Sequence, residues 1–390
     1  MKLGDICDVI TKGTTPTSLG LKFSDEGINF IKIESISENG NFLEDKFAHI
    51  SNECHQKLNR SQLKDGDLLF SIAGAIGRTA IVTQDILPAN TNQALAIIRL
   101  NEKYHKSREI IYMYFNSPLI KIQYSRKKQG VAQLNLSLQD IKLLEMPEIS
   151  EGRKEEIVRN LKLIQALIDK RKRQLNSIDF LAKSRFIEMF GDPVLNPYGF
   201  EVKNMGEVCT FYTGTGFPNV FQGKSDGDFP FYKVGDISKN VQNGFKELEY
   251  CDNYINKDVV DKIRGTIIPS GTIVFAKIGE ALKLNRRGLT IKNCLVDNNV
   301  MGVKPKEELN ISYFFQLMKD LDMEKYSAST TVPSVRKTIL ERIPILVPNL
   351  DIQNKYAEFI KQLDKSKFRI KKSLEKLELT YKALLQEYFG

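Results

Sequence analysis

Long apolar runs, paired cysteines and histidines are what this chain of 390 residues has least of. No stretch of about 18 apolar residues occurs, which excludes an ordinary membrane-spanning helix. Met1-Lys2-Leu3-Gly4-Asp5 lacks the apolar segment of a signal peptide. The five cysteines (Cys7, Cys54, Cys209, Cys251, Cys294) are odd in number and scattered, with no CxxC pair, and the histidines are His49, His55 and His105. A zinc cluster needs four soft or imidazole ligands at short spacing, so no metal is expected. Reduced, buried thiols in a cytoplasmic protein are the expectation.

What remains is the composition of packed domains. Hydrophobic residues make up 42% of the chain, which argues against disorder, and the length fits two or three domains. Lys and Arg number 57 against 48 Asp and Glu, a net charge of +9 that favours an anionic partner without naming one.

The chain is written twice. Leu3-Gly4-Asp5-Ile6-Cys7 recurs as Met205-Gly206-Glu207-Val208-Cys209, and Phe30-Ile31-Lys32-Ile33 as Phe231-Tyr232-Lys233-Val234. Gly66-Asp67-Leu68-Leu69-Phe70 recurs as Gly271-Thr272-Ile273-Val274-Phe275. Asn92-Gln93 is echoed by Asn298-Asn299, Gln129 to Leu134 by Thr330 to Val335, and Pro147 by Pro348. Shared order and an offset near half the chain length imply two homologous halves. Each half begins with about 150 residues of short β-rich runs (67–72, 94–100, 272–278, 300–303) with short helices at 108–115 and 311–321. A Pro-bounded exit then leads into a long charged helix.

In the first of these helices Ile157, Leu161, Ile164, Ile168, Leu175 and Ile178 keep a three–four spacing interrupted by Arg171. In the second, Ile352, Tyr356, Phe359, Leu363 and Ile370 do the same, and after a four-residue stutter Leu374, Leu377, Tyr381, Leu384 and Tyr388 continue it. So narrow an apolar seam cannot stand alone in water, and each helix is the cheapest partner for the other. The expected architecture is α+β. Two homologous mixed α/β domains (1–150 and 191–348) are separated by two long helices (151–190 and 349–390) that form an antiparallel coiled coil. The domains are then expected at opposite ends, related by a pseudo-twofold axis. Because duplex DNA has local twofold axes, such an arrangement suits two half-sites on one face of it.

The chain resembles the DNA specificity subunit of Type I restriction–modification systems over essentially its whole length. The resemblance rests on Arg185-Phe186-Ile187-Glu188-Met189-Phe190-Gly191-Asp192-Pro193, then Asn196-Pro197-Tyr198-Gly199-Phe200 and Met205-Gly206-Glu207-Val208. In the first half it rests on Leu3-Gly4-Asp5, Lys12-Gly13-Thr14-Thr15-Pro16, Leu68 to Gly77 and Asn90-Thr91-Asn92-Gln93. The second half departs from the pattern where Gly216 and Phe217 are inserted before Pro218, and where Ala281-Leu282-Lys283 replaces a second glycine. The resemblance implies two target-recognition domains, each reading a few base pairs of double-stranded DNA. It also implies two methyltransferase (M) partners and restriction (R) partners, with S-adenosylmethionine, ATP and Mg carried by those partners and none by this chain.

The required chemistry is phosphate contact by Lys and Arg and base-edge reading by Gln, Asn and Arg. Candidates in the first half are Lys12, Thr14, Thr15, Arg78, Asn92, Gln93, Arg126, Lys127, Lys128 and Gln129. In the second half they are Lys277, Lys283, Arg286, Arg287, Asn298, Asn299 and Arg336. For the four amides, turn-stabilising roles compete with adenine reading. The run Lys170 to Arg173 is either a solvated helix face or a contact to phosphate or a partner. Enzyme motifs are fragmentary. Asn196-Pro197-Tyr198 lacks the second proline of an adenine-methylase motif, and Gly223-Lys224-Ser225 has Pro218 where a phosphate-binding loop needs glycine. Asp192 with Glu201 and Lys203 imitates a nuclease triad that has no equivalent in the other half. The alternative to a specificity subunit is a stand-alone tandem DNA-binding regulator.

Overall fold

The computed structural model describes residues 1–126, 135–193, 195–327 and 333–389. The chain divides into two compact units, Met1–Arg173 with Lys371–Gly390, and Gln174–Ile370. The first contains β1 (Cys7–Lys12), β2 (Ile28–Ile31), β3 (Ala48–Ile50), α1 (Asn52–Lys57), β4 (Leu68–Ser71), β5 (Thr79–Ile81), β6 (Ala89–Thr91), β7 (Leu95–Leu100), α2 (Arg108–Phe115), α3 (Pro118–Arg126) and α4 (Leu138–Lys142), and then the start of α5 (Glu151–Phe190). The second contains β8 (Glu201–Asn204), α6 (Met205–Val208), β9 (Cys209–Thr213), β10 (Phe229–Tyr232), α7 (Val234–Gln242), β11 (Tyr254–Ile255), α8 (Lys257–Lys262), β12 (Ile273–Ala276), α9 (Glu280–Lys283), β13 (Gly288–Leu289), β14 (Leu295–Val296), β15 (Val300–Pro305), α10 (Ile311–Asp320), α11 (Lys337–Leu340) and β16 (Pro344–Val347), and then the start of α12 (Leu350–Phe389).

The two units share one topology. An antiparallel sheet of order β1-β7-β4-β5 in the first matches β9-β15-β12-β13 in the second. A smaller mixed sheet β3-β2-β6, with β2 and β6 parallel, matches β11-β10-β14. The short central strands are apolar on both faces because each separates two cores. Leu68 and Phe70 pack with Ala96 and Ile98 on one side, and Leu69 with Leu95 and Ile97 on the other. Ile273 and Phe275 pack with Met301 and Val303 on one face of β12, and Val274 with Val300 on the other. The repeat offset is 201 at Phe30 and Phe231 but 205 at Gly66 and Gly271. One element differs in length within that interval. A three-residue turn, Ile33–Ser35, stands where the second unit has the nine-residue α7.

The long helices belong to both cores. Ile157 and Leu161 of α5 and Leu385 and Phe389 of α12 are buried in the core of the first unit with Phe70 and Ile98. Phe186 and Phe190 of α5 and Tyr356 and Ile360 of α12 are buried in the second with Tyr313 and Met301. Polar contacts fix the direction. In the first unit the Asn160 side-chain amide donates to the Tyr388 hydroxyl (3.1 Å), and Lys172 pairs with Glu378 (3.5 Å). In the second, Lys367 pairs with Asp179 (2.8 Å), and the Tyr356 hydroxyl donates to the Ala182 carbonyl (3.2 Å). Within each unit the two helices therefore run antiparallel. Of the seam candidates, Ile157, Leu161, Ile168 and Tyr356 are buried, and Ile164, Leu175, Phe359, Leu363, Ile370 and Leu377 are half-buried. Near the C-terminal end the deepest positions are Leu385 and Phe389, each one residue beyond the expected Leu384 and Tyr388, because the first core draws them in.

Truncating a helix side chain that completes a core leaves a cavity. Phe186→Ala is expected to cost about 3–5 kcal/mol and Leu385→Ala about 2–5 kcal/mol in chemical denaturation. Leu379→Ala, at a position 66% exposed, is expected to change little.

Candidate nucleic-acid interface

In each unit one ribbon of backbone hydrogen bonds gathers the loops at one end of the strands. In the first unit Gly13 N–H donates to the Leu95 carbonyl and Thr14 N–H to the Thr91 carbonyl. The Thr91 hydroxyl donates to Ile31, the last residue of β2, and Ile72 N–H donates to the Ala94 carbonyl. Gly13 lies so close to this turn that a Cβ would sit 2.0 Å from the Thr91 oxygen. In the second unit a Cβ on Gly214 would sit 1.8 Å from the Asp297 oxygen. There Thr215 N–H donates to the Val296 carbonyl, Asp297 N–H to Tyr232, and Lys277 N–H to Asn299. Val335 N–H then donates to the Lys277 carbonyl, as Leu136 N–H does to Ile72.

This correspondence corrects two of the repeat pairings. Ala94 N–H donates to the Asn92 side chain, and Asn299 N–H donates to the Asp297 side chain. Asn92 therefore matches Asp297, and Gln93 matches Asn298, one residue earlier than the sequence echo implies. Val335 likewise matches Leu136 and not Leu134. Asn92 and Asp297 close a turn through their own side chains, whereas Gln93 and Asn298 stand exposed at its tip. Thr15 is hydrogen-bonded through its hydroxyl to the Gln93 side chain, so the two first-unit candidates act as one group.

Lys12 is exposed at the end of β1, and Thr14 is half-buried beside it. In the second unit Lys277 is half-buried and Arg336 exposed on adjoining segments of the ribbon, while Asn299 is exposed. Arg286 is half-buried in the loop before β13, and Lys283 is exposed and paired with Glu280 at 2.8 Å. Arg126's side chain and Lys127, Lys128 and Gln129 lie outside the described residues.

Two of the candidate arginines are engaged by backbone carbonyls of their own unit. Arg287 is 4% exposed, with its guanidinium 4.9 Å from the centre of the Phe275 ring. It donates to the carbonyls of Met318 (3.1 Å) and Leu321 (3.2 Å) and to the Asn285 side chain (2.5 Å), so it ties the loop before β13 to the end of α10. Burial lowers its pKa to about 10. Arg78 donates to the carbonyls of Ile33 (3.3 Å) and Ile36 (3.1 Å), which commits its side chain to holding that turn. Local charge made both look available, but neighbouring carbonyls that only the fold supplies engage them.

The fragmentary enzyme motifs resolve into structure. The Asn196 side chain bridges Phe200 through both its oxygen and its nitrogen, making a turn of Asn-Pro-Tyr. Lys203 is held by Glu308 and Glu201, and Gly223 N–H donates to the Asn253 side chain. Among the described residues no group of three His, Cys, Asp or Glu side chains is placed to hold a metal ion, and no helix is long and apolar enough to cross a membrane. Burial pushes the thiols of Cys7, Cys209, Cys251 and Cys294 up to about 12.

Two lysines that the sequence candidates did not include, Lys32 and Lys233, also flank these ribbons. Each directly follows the central strand of the small sheet, beside the Thr91–Asn92 or Val296–Asp297 turn. Their recurrence in Phe-Ile-Lys-Ile and Phe-Tyr-Lys-Val was the signal that could have found them.

Fold and site together define a duplicated α+β protein that presents one cluster of polar loops per unit. A family model for the Type I restriction modification DNA specificity domain matches residues 1–179 and 197–380, and the chain belongs to that family. It is 30% identical over 153 residues to the Type I restriction enzyme EcoBI specificity subunit of Escherichia coli, an alignment covering 39% of this chain but only 31% of that protein. It is 23% identical over 342 residues to the Type I restriction enzyme MjaIX specificity subunit of Methanocaldococcus jannaschii, covering 82% of this chain and 76% of that one. Two solved structures share the fold. One is the S subunit of a Type-I restriction–modification system from M. genitalium (TM-score 0.54, 13% identity, all of this chain and 95% of that one). The other is a chain from a study of complex assembly in a type I R-M system (TM-score 0.61, 15% identity, all of this chain and 96% of that one).

Arg287→Ala is expected to destabilise the second unit by roughly 2–4 kcal/mol, because the carbonyls it satisfies would be left buried and unpaired. Arg286→Ala should leave the thermal midpoint nearly unchanged. Comparing the two variants by thermal unfolding isolates the contribution of the buried guanidinium.

Proposed function

We propose that this chain is the DNA sequence-specificity subunit of a Type I restriction–modification enzyme. In this reading each unit contacts one half of a bipartite site through its loop cluster, and the chain performs no chemistry itself. The observation that carries the proposal is the appearance of the same ribbon twice, with Thr15 and Gln93 at one cluster and Thr215, Asn298 and Lys277 at the other. Amides and hydroxyls read base edges in the major groove, and the differing composition of the two clusters fits two different half-sites. The net charge of +9 fits an anionic duplex.

The partners in this reading are two methyltransferase subunits and, in the restricting assembly, nuclease-translocase subunits. S-adenosylmethionine, ATP and Mg reside on them. Apolar side chains left exposed on the long helices support a helix-borne docking surface: Leu163 and Leu379 in the first unit, Phe180 and Phe368 in the second. Phe180 is 73% exposed, an unusual place for a large aromatic unless another chain covers it. A stand-alone regulator would need no methyltransferase surface, and its helix pair would serve as a spacer or dimerisation device.

Methylation sequencing of cells carrying this chain with its methyltransferase partner is expected to return a bipartite motif. Gln93→Ala should relax one half of it and Asn298→Ala the other, each by about 1–3 kcal/mol of discrimination. If either substitution relaxed both halves together, the two-reader mechanism would be wrong. Phe180→Asp is expected to reduce co-purification of the methyltransferase while leaving duplex binding by the full chain intact. Undiminished co-purification would remove the helices from the docking surface.

A further inference from the structure

Most positions on the two ribbons differ between the units. Gln93 stands opposite Asn298, Asn92 opposite Asp297, Ile72 opposite Lys277, and Lys12 opposite Thr213. Among the described basic residues of these ribbons, one pair is identical, Lys32 and Lys233. Both occupy the first position after the central strand, and both are half-buried. Their chains leave a similar aromatic support. Phe30 of β2 is covered edge-on by Phe23 at 5.2 Å, and Phe231 of β10 is stacked under Phe217 at 3.8 Å.

The amines themselves are held loosely and differently. Lys32 Nζ lies 4.7 Å above the Phe23 ring, and Lys233 Nζ donates to the Gln222 side chain at 3.0 Å. Neither makes an ion pair among the described residues. The second lies in an open cleft lined by Gln222, Gly223, Asp236, Asp252 and Asn253. Of the carboxylates there, Asp236 is committed to the backbone N–H groups of Lys233 and Asp252, and Asp252 is paired with Lys239 at 3.3 Å. A group identical in two readers whose tips differ cannot tell their sequences apart. What two half-sites of different sequence have in common is the phosphodiester backbone.

We infer that Lys32 and Lys233 are a matched pair of phosphate anchors, one per unit, that fix each loop cluster on the DNA backbone without reading bases. The inference rests on the DNA-reading function proposed above and deepens it. It divides the ribbon into a shared positioning element and divergent reading elements. An ammonium on a flexible stem suits this task, because it meets a phosphate oxygen as a point charge and imposes no base geometry.

The test uses the full-length chain with Lys32→Met, Lys233→Met, the double variant, and Lys32→Arg and Lys233→Arg. Methionine keeps the apolar stem and removes the charge, and arginine restores the charge. Binding to a randomised pool of 30-base-pair duplexes is measured across a salt series, together with the enriched motif and the thermal midpoint of each protein. Each methionine variant should lose roughly three- to tenfold in affinity for every duplex alike. The slope of log affinity against log salt should fall by about 0.9 per site. The enriched motif and thermal midpoint should be unchanged, the double variant should show both losses, and arginine should recover most of each. A shifted motif would make the lysines base readers and overturn the inference. So would wild-type affinity in either methionine variant, or a loss that arginine fails to restore. If the unsubstituted chain, alone and with its methyltransferase, showed no salt-dependent affinity for any duplex, the DNA-reading function itself would fall.

Discussion

Everything in this protein depends on two 40-residue helices that cannot bury their own apolar seams. A single amphipathic helix of that length in water leaves its stripe exposed, and the surplus is removed only by packing. Here the helices pair, and the ends of each also complete a globular core. Phe190 packs against Tyr313 at 4.6 Å and Tyr356 at 5.6 Å in one unit, and Phe389 against Tyr114 at 5.3 Å in the other. Buried polar groups reinforce the arrangement. Gln353 is fully buried, accepts from Asn310 N–H at 2.7 Å, and donates to the carbonyls of Glu308 and Pro348, so the start of α12 is anchored on both sides. A helix that contributes to a core cannot rotate about its axis without opening that core.

A second constraint places the site. The absence of a side chain at Gly13 and at Gly214 lets the end of the first sheet strand press against the turn that follows the small sheet. Any Cβ there would collide with a carbonyl oxygen, so the loop and the turn could no longer share their hydrogen bonds. The close approach brings five chain segments that are remote in sequence into one ribbon. This explains why the sheets are nearly interchangeable between units while the tips differ. The backbone bonds that assemble the ribbon do not depend on side-chain identity, so Gln93 and Asn298, or Ile72 and Lys277, can diverge without disturbing it.

The sequence made the duplication, the long helices and the central strands legible because each is a periodic or repeated signal. The β-rich run at 67–72 contains β4, whose Leu68 and Phe70 face one core and Leu69 the other. The loops were harder, for physical reasons. A change in repeat offset near α7 moved the true partner of Asn92 to Asp297, and two adjacent asparagines nearby offered a false match. Arg287 carries the same charge as Arg286, and only the fold shows that its guanidinium lies on Phe275 among carbonyls while Arg286 is half-buried in the loop before β13. Lys32 and Lys233 were present in the repeat, yet nothing local marks that β2 and β10 end just before them.

The buried arginine clarifies how such a site can vary. A base reader must hold its side chains firmly, because discrimination is lost when a donor can follow the wrong acceptor. Arg287 and Arg78 each fix a loop of their own unit. Each spends its donors on backbone carbonyls of a loop, one tying the β13 approach to α10, the other holding the turn at Ile33 and Ile36. They are not at equivalent positions, so each unit has its own way of stiffening its loops. The tip residues are under little structural obligation: Asn298 and Arg336 are exposed and contribute little to any core. Substitutions at such positions change what the loop can contact at small cost to folding, which is the condition a duplicated reader needs if its halves are to acquire different preferences.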